Sequence, residues 1–175
     1  MFILFEGPDG SGKTTLAKRV SESLNLPYHK NPYEHDEWKN PDRYKLMLRY
    51  TDLYFLTYLK NSGSNVCLDR AWTTEWVYSQ VFKRGFDEVF LRQLDDLTKQ
   101  IKDSIIIVTY RSNPPVKGDE LEGINENWGK IRDKYLELGD WSNNRIIYIN
   151  TENRTPDETY VYCLEQLRSK GIILK

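Results

Sequence analysis

Four apolar residues, Phe2 to Phe5, run into Glu6 and then into Gly7-Pro8-Asp9-Gly10-Ser11-Gly12-Lys13-Thr14. A short run that is apolar throughout is the pattern of a strand covered on both faces, and such strands belong to parallel sheets. The eight residues that follow have the form G-x-x-x-x-G-K-[ST]. Glycines let successive backbone N–H groups turn toward one point, and a helix starting near Lys13 aims its positive end at the same point. Both features attract phosphate. Gly7, Asp9, Gly10, Ser11, Gly12, Lys13, Thr14 and Thr15 are therefore read as a nucleotide-phosphate cradle. Lys13 is expected to reach the β- and γ-phosphates of ATP, and the Thr14 hydroxyl to ligate Mg²⁺. The competing reading is a glycine-rich turn with an incidental Lys-Thr, which the strand before and the helix after disfavour.

A helix is expected over Lys13 to Leu24, with Leu16, Val20 and Leu24 on one face. Leu26 to Lys30 reads as a second strand. Pro41 opens a long helix to about Lys60, capped by Asn40. Val66 to Leu68 is a third strand. Helices are expected over Thr73 to Arg84 and Asp87 to Ile101, and Ser104 to Tyr110 is the clearest buried strand. Arg111 to Gly123 is charged and rich in proline and glycine, and reads as a loop. A helix over Asn125 to Leu138, a fifth strand in "RIIYIN" and a helix over Pro156 to Ser169 complete the chain. Strands alternating with helices imply an α/β fold with a parallel sheet covered on both faces, and ligands bind beyond the carboxyl ends of such strands.

At 175 residues the chain reads as one domain, and 25 basic against 26 acidic residues argue against a general nucleic-acid or membrane-surface binder. Cys67 and Cys163 give neither a disulfide framework nor metal-ligand spacing, so a reducing, cytoplasmic setting is expected. The N-terminal stretch is too short for a signal peptide, and nothing approaches the roughly 20 apolar residues of a membrane span.

A second polar pair, Asp69 and Arg70, ends the third strand. At that edge Asp69 is placed to hold Mg²⁺ through water and Arg70 to hold an oxyanion. The competing reading is a salt bridge at a strand end. The phosphate loop tips the balance, because both features share one sheet edge.

On these residues the sequence resembles the thymidylate kinase family of nucleoside monophosphate kinases. "FEGPDGSGKTT" is similar to the family's first motif, including the acidic Asp9 inside the loop. "LDRAWTTEWVYSQ" is similar to D-R-[YH]-x-x-S-x-x-A-Y-Q, with Asp69, Arg70, Thr74 and Tyr78 at matching offsets. Arg49 falls where the family carries an arginine on a long helix, and "ELEGINENWGKIRDKYLEL" is similar to the lid and the helix after it. The resemblance implies a three-layer P-loop NTPase fold with a five-stranded parallel sheet in the order 2-3-1-4-5. It implies ATP-dependent phosphoryl transfer to a pyrimidine deoxynucleoside monophosphate, with ATP and Mg²⁺, a lid near residues 111–123, and a homodimer. By carry-over Asp9 contacts the acceptor's 3′-hydroxyl, Arg70 holds its phosphate and Arg49 bonds the pyrimidine edge. Lys13, Arg70 and Asp9 are the expected catalytic group, Thr14 and Asp69 the metal group, and Asp9, Arg49, Asp69, Arg70, Trp72 and Tyr78 the acceptor group.

The sequence departs from the family at several points. Position 71 is Ala where the family has Tyr or His, Lys45 stands where an aromatic stacks on thymine, and Gly10 replaces an arginine found in some members. The lid offers only Arg111 and Lys117 as cations. These departures cluster around the acceptor and the lid. They keep open a deoxynucleoside kinase, or a kinase of a modified pyrimidine or nucleic-acid hydroxyl, with Glu34 or Asp36 as base. A nucleotide switch predicts an N-K-x-D element, which the sequence lacks, although a simple ATPase needs none.

Overall fold

The computed structural model describes residues 1–31, 41–114 and 124–172, and the side chains of 41–50 and 124 lie outside that description. The chain runs β1 (Phe2–Glu6), α1 (Lys13–Leu24), β2 (Tyr28–Lys30), α2 (Pro41–Ser62), β3 (Val66–Asp69), α3 (Trp72–Val81) and α4 (Glu88–Gln100). It continues through β4 (Ser104–Tyr110), α5 (Ile124–Leu136), α6 (Leu138–Trp141), β5 (Ile146–Asn150) and α7 (Pro156–Ser169). The five strands form one sheet in the order β2-β3-β1-β4-β5. All neighbours pair in parallel. The fold is thus the expected three-layer α/β sandwich.

Strand side chains alternate across the sheet, and the two faces carry separate cores. Phe2, Leu4, Leu68, Ile106 and Val108 pack with residues of α2, α3, α4 and α5. Ile3, Phe5, Cys67, Ile105 and Ile107 pack with residues of α1 and α7. Every residue of β1 is buried, which is why the run carries no polar alternation.

Several boundaries differ from the sequence reading. The second strand is three residues, because the Leu26 N–H still bonds back to the Ser21 carbonyl of α1, and Pro27, which has no N–H, offers the ladder only its carbonyl, accepting from the Cys67 N–H. The third helix ends at Val81, not Arg84, where Lys83 (φ 51°) and Gly85 (φ 68°) take left-handed backbone. The helix expected to reach Leu138 stops at Leu136, and a separate short turn, α6, follows. Asn40, the expected cap of α2, lies outside the described residues. Among them no helix is long and apolar enough to cross a membrane.

Candidate active site

The phosphate loop leaves β1 at Gly7, whose φ is 138°. A Cβ there would stand 2.2 Å from the Thr109 carbonyl oxygen, so only glycine lets the loop pass this close to β4. Gly12 (φ 81°) forms the left-handed entry to α1. The Ser11 side chain faces inward and exchanges a 2.7 Å hydrogen bond with Thr109. Thr151 donates to the Ser11 carbonyl at 2.9 Å. Ser11 therefore fixes the loop on β4 and β5, and only its backbone is left to meet a phosphate.

Phe5 pairs with Asp69 across the β1–β3 ladder, which turns Asp69 toward α1. There the fully buried carboxylate accepts from the Thr14 hydroxyl at 2.6 Å and from the Tyr28 hydroxyl at 3.0 Å. Its other oxygen, Oδ1, lies 3.6 Å from Lys13 Nζ and accepts no hydrogen bond. Burial, and then the charge of Arg70, lowers the Lys13 ammonium from its usual range, against the opposing pull of Asp69, Asp9 and Glu6. A buried carboxylate beside a threonine hydroxyl at a phosphate loop is the oxygen donor set that suits Mg²⁺.

Arg70, one residue on, faces the opposite layer. Its backbone is left-handed (φ 70°), and its N–H donates to the Phe5 carbonyl at 3.0 Å. The guanidinium donates to Asp9 from Nη2, and from Nη1 to Tyr135 at 3.2 Å and Thr74 at 3.3 Å. Tyr78 donates to the second Asp9 oxygen at 2.9 Å, and the Trp128 indole donates to the Asp9 carbonyl at 2.9 Å. Burial opposes charge at both ends of the pair and the ion pair outweighs it. Arg70, with Lys13 and Tyr78, holds the Asp9 carboxyl below its ordinary range, and Asp9 raises the Arg70 guanidinium well above its own.

Beneath this pair lies Glu6, fully buried at the end of β1. One oxygen accepts from the Ala71 N–H at 2.7 Å, the other from Thr74 at 3.0 Å and Tyr135 at 3.1 Å. Burial pushes its carboxyl up, against the Arg70 charge and its hydrogen bonds. Glu6 was not singled out by the sequence reading, although its place between an apolar strand and the glycine loop was the available signal. It clamps the left-handed turn that carries Arg70.

A cleft of about 180 Å³ opens on the far side of the loop, lined among others by Gly12, Thr15, Arg111, Thr151, Arg154 and Pro156. Arg111 Nε is buried there without a hydrogen-bond partner. Arg154, which sequence reasoning missed, lies over the Tyr162 ring at 4.3 Å from its centroid. Only its position between the last strand and the last helix pointed to it.

Trp72 is a correction. Its side chain is fully buried, its indole donates to Thr98 at 3.1 Å and its ring meets Trp141 at 5.6 Å. It offers no surface to a base and belongs to the core. The Arg49 side chain and Lys117 lie outside the described residues, as do Glu34, Asp36 and residues 115–123 of the lid expected near 111–123.

A parallel sheet in this order, with a phosphate loop after its central strand, is the P-loop fold shared by nucleoside and nucleotide kinases. The deoxyadenosine kinase of M. mycoides with bound dATP superimposes with a TM-score of 0.70 at 17% identity, over 96% of this chain and 100% of that one. The YorR protein of Bacillus subtilis, in complex with phosphorylated GDP, gives 0.66 at 22% identity over 97% and 98%. The thymidylate kinase of Candida albicans gives 0.63 at 19% identity over 97% and 92%. In sequence the chain is similar to the probable thymidylate kinases of Methanococcus aeolicus, 28% identical over 99% of this chain and 98% of the relative, and of Sulfolobus acidocaldarius, 29% over 87% and 89%. The chain matches no protein-family model.

Proposed function

We propose that the protein is a nucleoside monophosphate kinase that transfers the γ-phosphoryl group of ATP to a pyrimidine deoxynucleoside monophosphate of the dTMP type. The observation that carries this reading is the division of cations at one sheet edge. Lys13 stands with Asp69 on the α1 side, and Arg70 stands on the opposite side with Asp9 and Tyr78. A donor triphosphate and an acceptor phosphate both bring negative charge, and one cation cannot serve both. The similarity to probable thymidylate kinases supports the same reading.

In this mechanism the loop's backbone and Lys13 hold the β- and γ-phosphates. Thr14 directly, and Asp69 through water, would hold Mg²⁺, which supplies charge neutralisation at the transferring oxygens. Arg70 holds the acceptor phosphate, and Asp9, turned by Tyr78, meets the sugar. A monophosphate is already ionised near neutral pH, so its oxygen attacks without a general base and no proton moves in the transfer step. Arg111 and Arg154 flank the ATP side. Exposed Leu53, Tyr54 and Tyr58 on α2 are the surface that supports a homodimer, testable by sedimentation.

An ADP-release assay with ATP and Mg²⁺ over a panel of nucleosides and monophosphates tests the reading. Turnover with dTMP and little with thymidine is expected. Preference for a nucleoside would replace it with the nucleoside kinase reading, and ADP release without any acceptor with an ATPase.

A further inference from the structure

Tyr28 opens β2 and is in register with Cys67 of β3. Both side chains pack in the core on the α1 side of the sheet, Cys67 fully buried and Tyr28 partly. Asp69 lies two residues beyond Cys67 and so shares that face. A side chain reaches its diagonal neighbour on the next strand only if it is long or aromatic. The Tyr28 ring spans that diagonal, and its hydroxyl donates to Asp69 Oδ2 at 3.0 Å. The Lys18 ammonium of α1 stands over the same ring, 5.8 Å from its centroid.

The Asp69 carboxylate is fully buried, yet its hydrogen-bond donors gather on one oxygen. Thr14 of α1 and Tyr28 of β2 both meet Oδ2, while Oδ1 lies 3.6 Å from Lys13 Nζ, toward the phosphate loop. A carboxylate held by one donor turns about its Cβ–Cγ bond and exchanges its oxygens. Donors from two different elements fix that rotation. The Thr14 hydroxyl is itself the group expected to meet Mg²⁺, which leaves Tyr28 as the hold on Asp69 that takes no part in metal binding. Packing of β2 accounts for the ring of Tyr28. A phenylalanine would fill the same place, so packing leaves the hydroxyl's bond to Asp69 unexplained.

We propose that Tyr28 is a positioning residue for the metal site, its hydroxyl holding the Asp69 carboxylate in the rotamer that meets the water shell of Mg²⁺ beside Thr14. The inference rests on the ATP and Mg²⁺ part of the proposed function and is independent of the acceptor. Loss of a group that orients a direct metal ligand costs about 10- to 100-fold in affinity. Asp69 acts through water, so the loss here is smaller, about fivefold.

The test is calorimetric binding of β,γ-imido-ATP in Mg²⁺ and in EDTA, for wild type, Tyr28→Phe, Asp69→Asn and the double variant. Tyr28→Phe keeps the ring and removes one oxygen. The dissociation constant in EDTA divided by that in Mg²⁺ reports what the metal contributes. In Tyr28→Phe this ratio falls about fivefold, while the constant in EDTA stays within about twofold. In the Asp69→Asn background Tyr28→Phe changes the ratio by less than about twofold, because the hydroxyl acts through the carboxylate. In ADP release with dTMP, the Mg²⁺ concentration for half-maximal rate rises about fivefold and the dTMP KM does not move. A lower melting temperature with an unchanged ratio makes the bond a structural tie of β2 and overturns the inference. An equal loss in the Asp69→Asn background overturns it too. Expected ratios in a wild type that ignores dTMP support it and remove only the monophosphate reading. A wild type that binds the analogue equally well in Mg²⁺ and in EDTA overturns it together with the metal role it rests on.

Discussion

The guanidinium of Arg70 donates to the carboxylate of Asp9, so a cation from the end of β3 is held by the phosphate loop itself. With both charges satisfied in this way, Arg70 is preset over the loop, and under the proposed function an acceptor phosphate would meet a cation whose position is already fixed. The pair also ties two residues 61 positions apart in the chain into one unit, since Tyr78 and Trp128 hold Asp9 from other helices.

Glu6 is the support under that unit, and Glu6→Leu tests it. A leucine side chain accepts no hydrogen bond, so the buried Ala71 N–H loses its acceptor and the Thr74 and Tyr135 hydroxyls lose theirs. An unsatisfied buried group costs about 1–3 kcal/mol. Chemical denaturation should show a loss of that size, and the acceptor KM should rise more than the KM for ATP, because the Arg70 turn loosens first.

The Asp9 carboxyl sits below its ordinary range, so the sign of its pH effect follows. A depressed folded pKa contributes stability that is fully present above the unfolded value, about 3.9 for Asp. It is lost as pH falls through the folded value. The difference in melting temperature between wild type and Asp9→Asn should be constant from about pH 5 upward and shrink below about pH 4. A difference that instead grew on acidification would contradict the ion pair.

Lys13→Ala should leave folding nearly intact, because Asp69 keeps Thr14 and Tyr28. Loss of the charge from the phosphate site should lower kcat by about 10²–10³, the usual scale for one electrostatic donor. Intact circular dichroism with unchanged turnover would remove the phosphate loop from the mechanism.

Arg154→Ala tests the cleft on the far side of the loop. The KM for ATP should rise several-fold with the acceptor KM unchanged, since Arg154 lines the cleft beside Gly12 and Thr15 and no residue of the Arg70 cluster lines it with them. Equal rises in both KM values would place ATP elsewhere.

The fold was legible because apolar strands and the glycine loop are local signals: Phe2 to Phe5 of β1 and Ile105 to Val108 of β4 read as unbroken apolar runs and are buried. Lys13, Thr14, Asp69 and Arg70 were legible for the same reason, as motifs of contiguous residues. What stayed hidden depends on register and tertiary contact. Glu6 looked like a strand terminus until Ala71, Thr74 and Tyr135 converged on it. Trp72 misled because a tryptophan beside a catalytic strand end suggests a base platform, whereas helix α3 turns it into the core against Trp141.

The most direct measurement compares dTMP and thymidine as acceptors in wild type and Arg70→Ala by ADP release. Removing a charged hydrogen-bonding partner from a desolvated site costs about 2–5 kcal/mol. Wild type should turn over dTMP and barely use thymidine, and Arg70→Ala should lose about 30-fold or more of kcat/KM for dTMP, the low end of that range at roughly tenfold per 1.4 kcal/mol. The KM for ATP should change little. If thymidine is the better acceptor, or if Arg70→Ala lowers dTMP and thymidine turnover alike, Arg70 does not hold an acceptor phosphate and the monophosphate account is wrong.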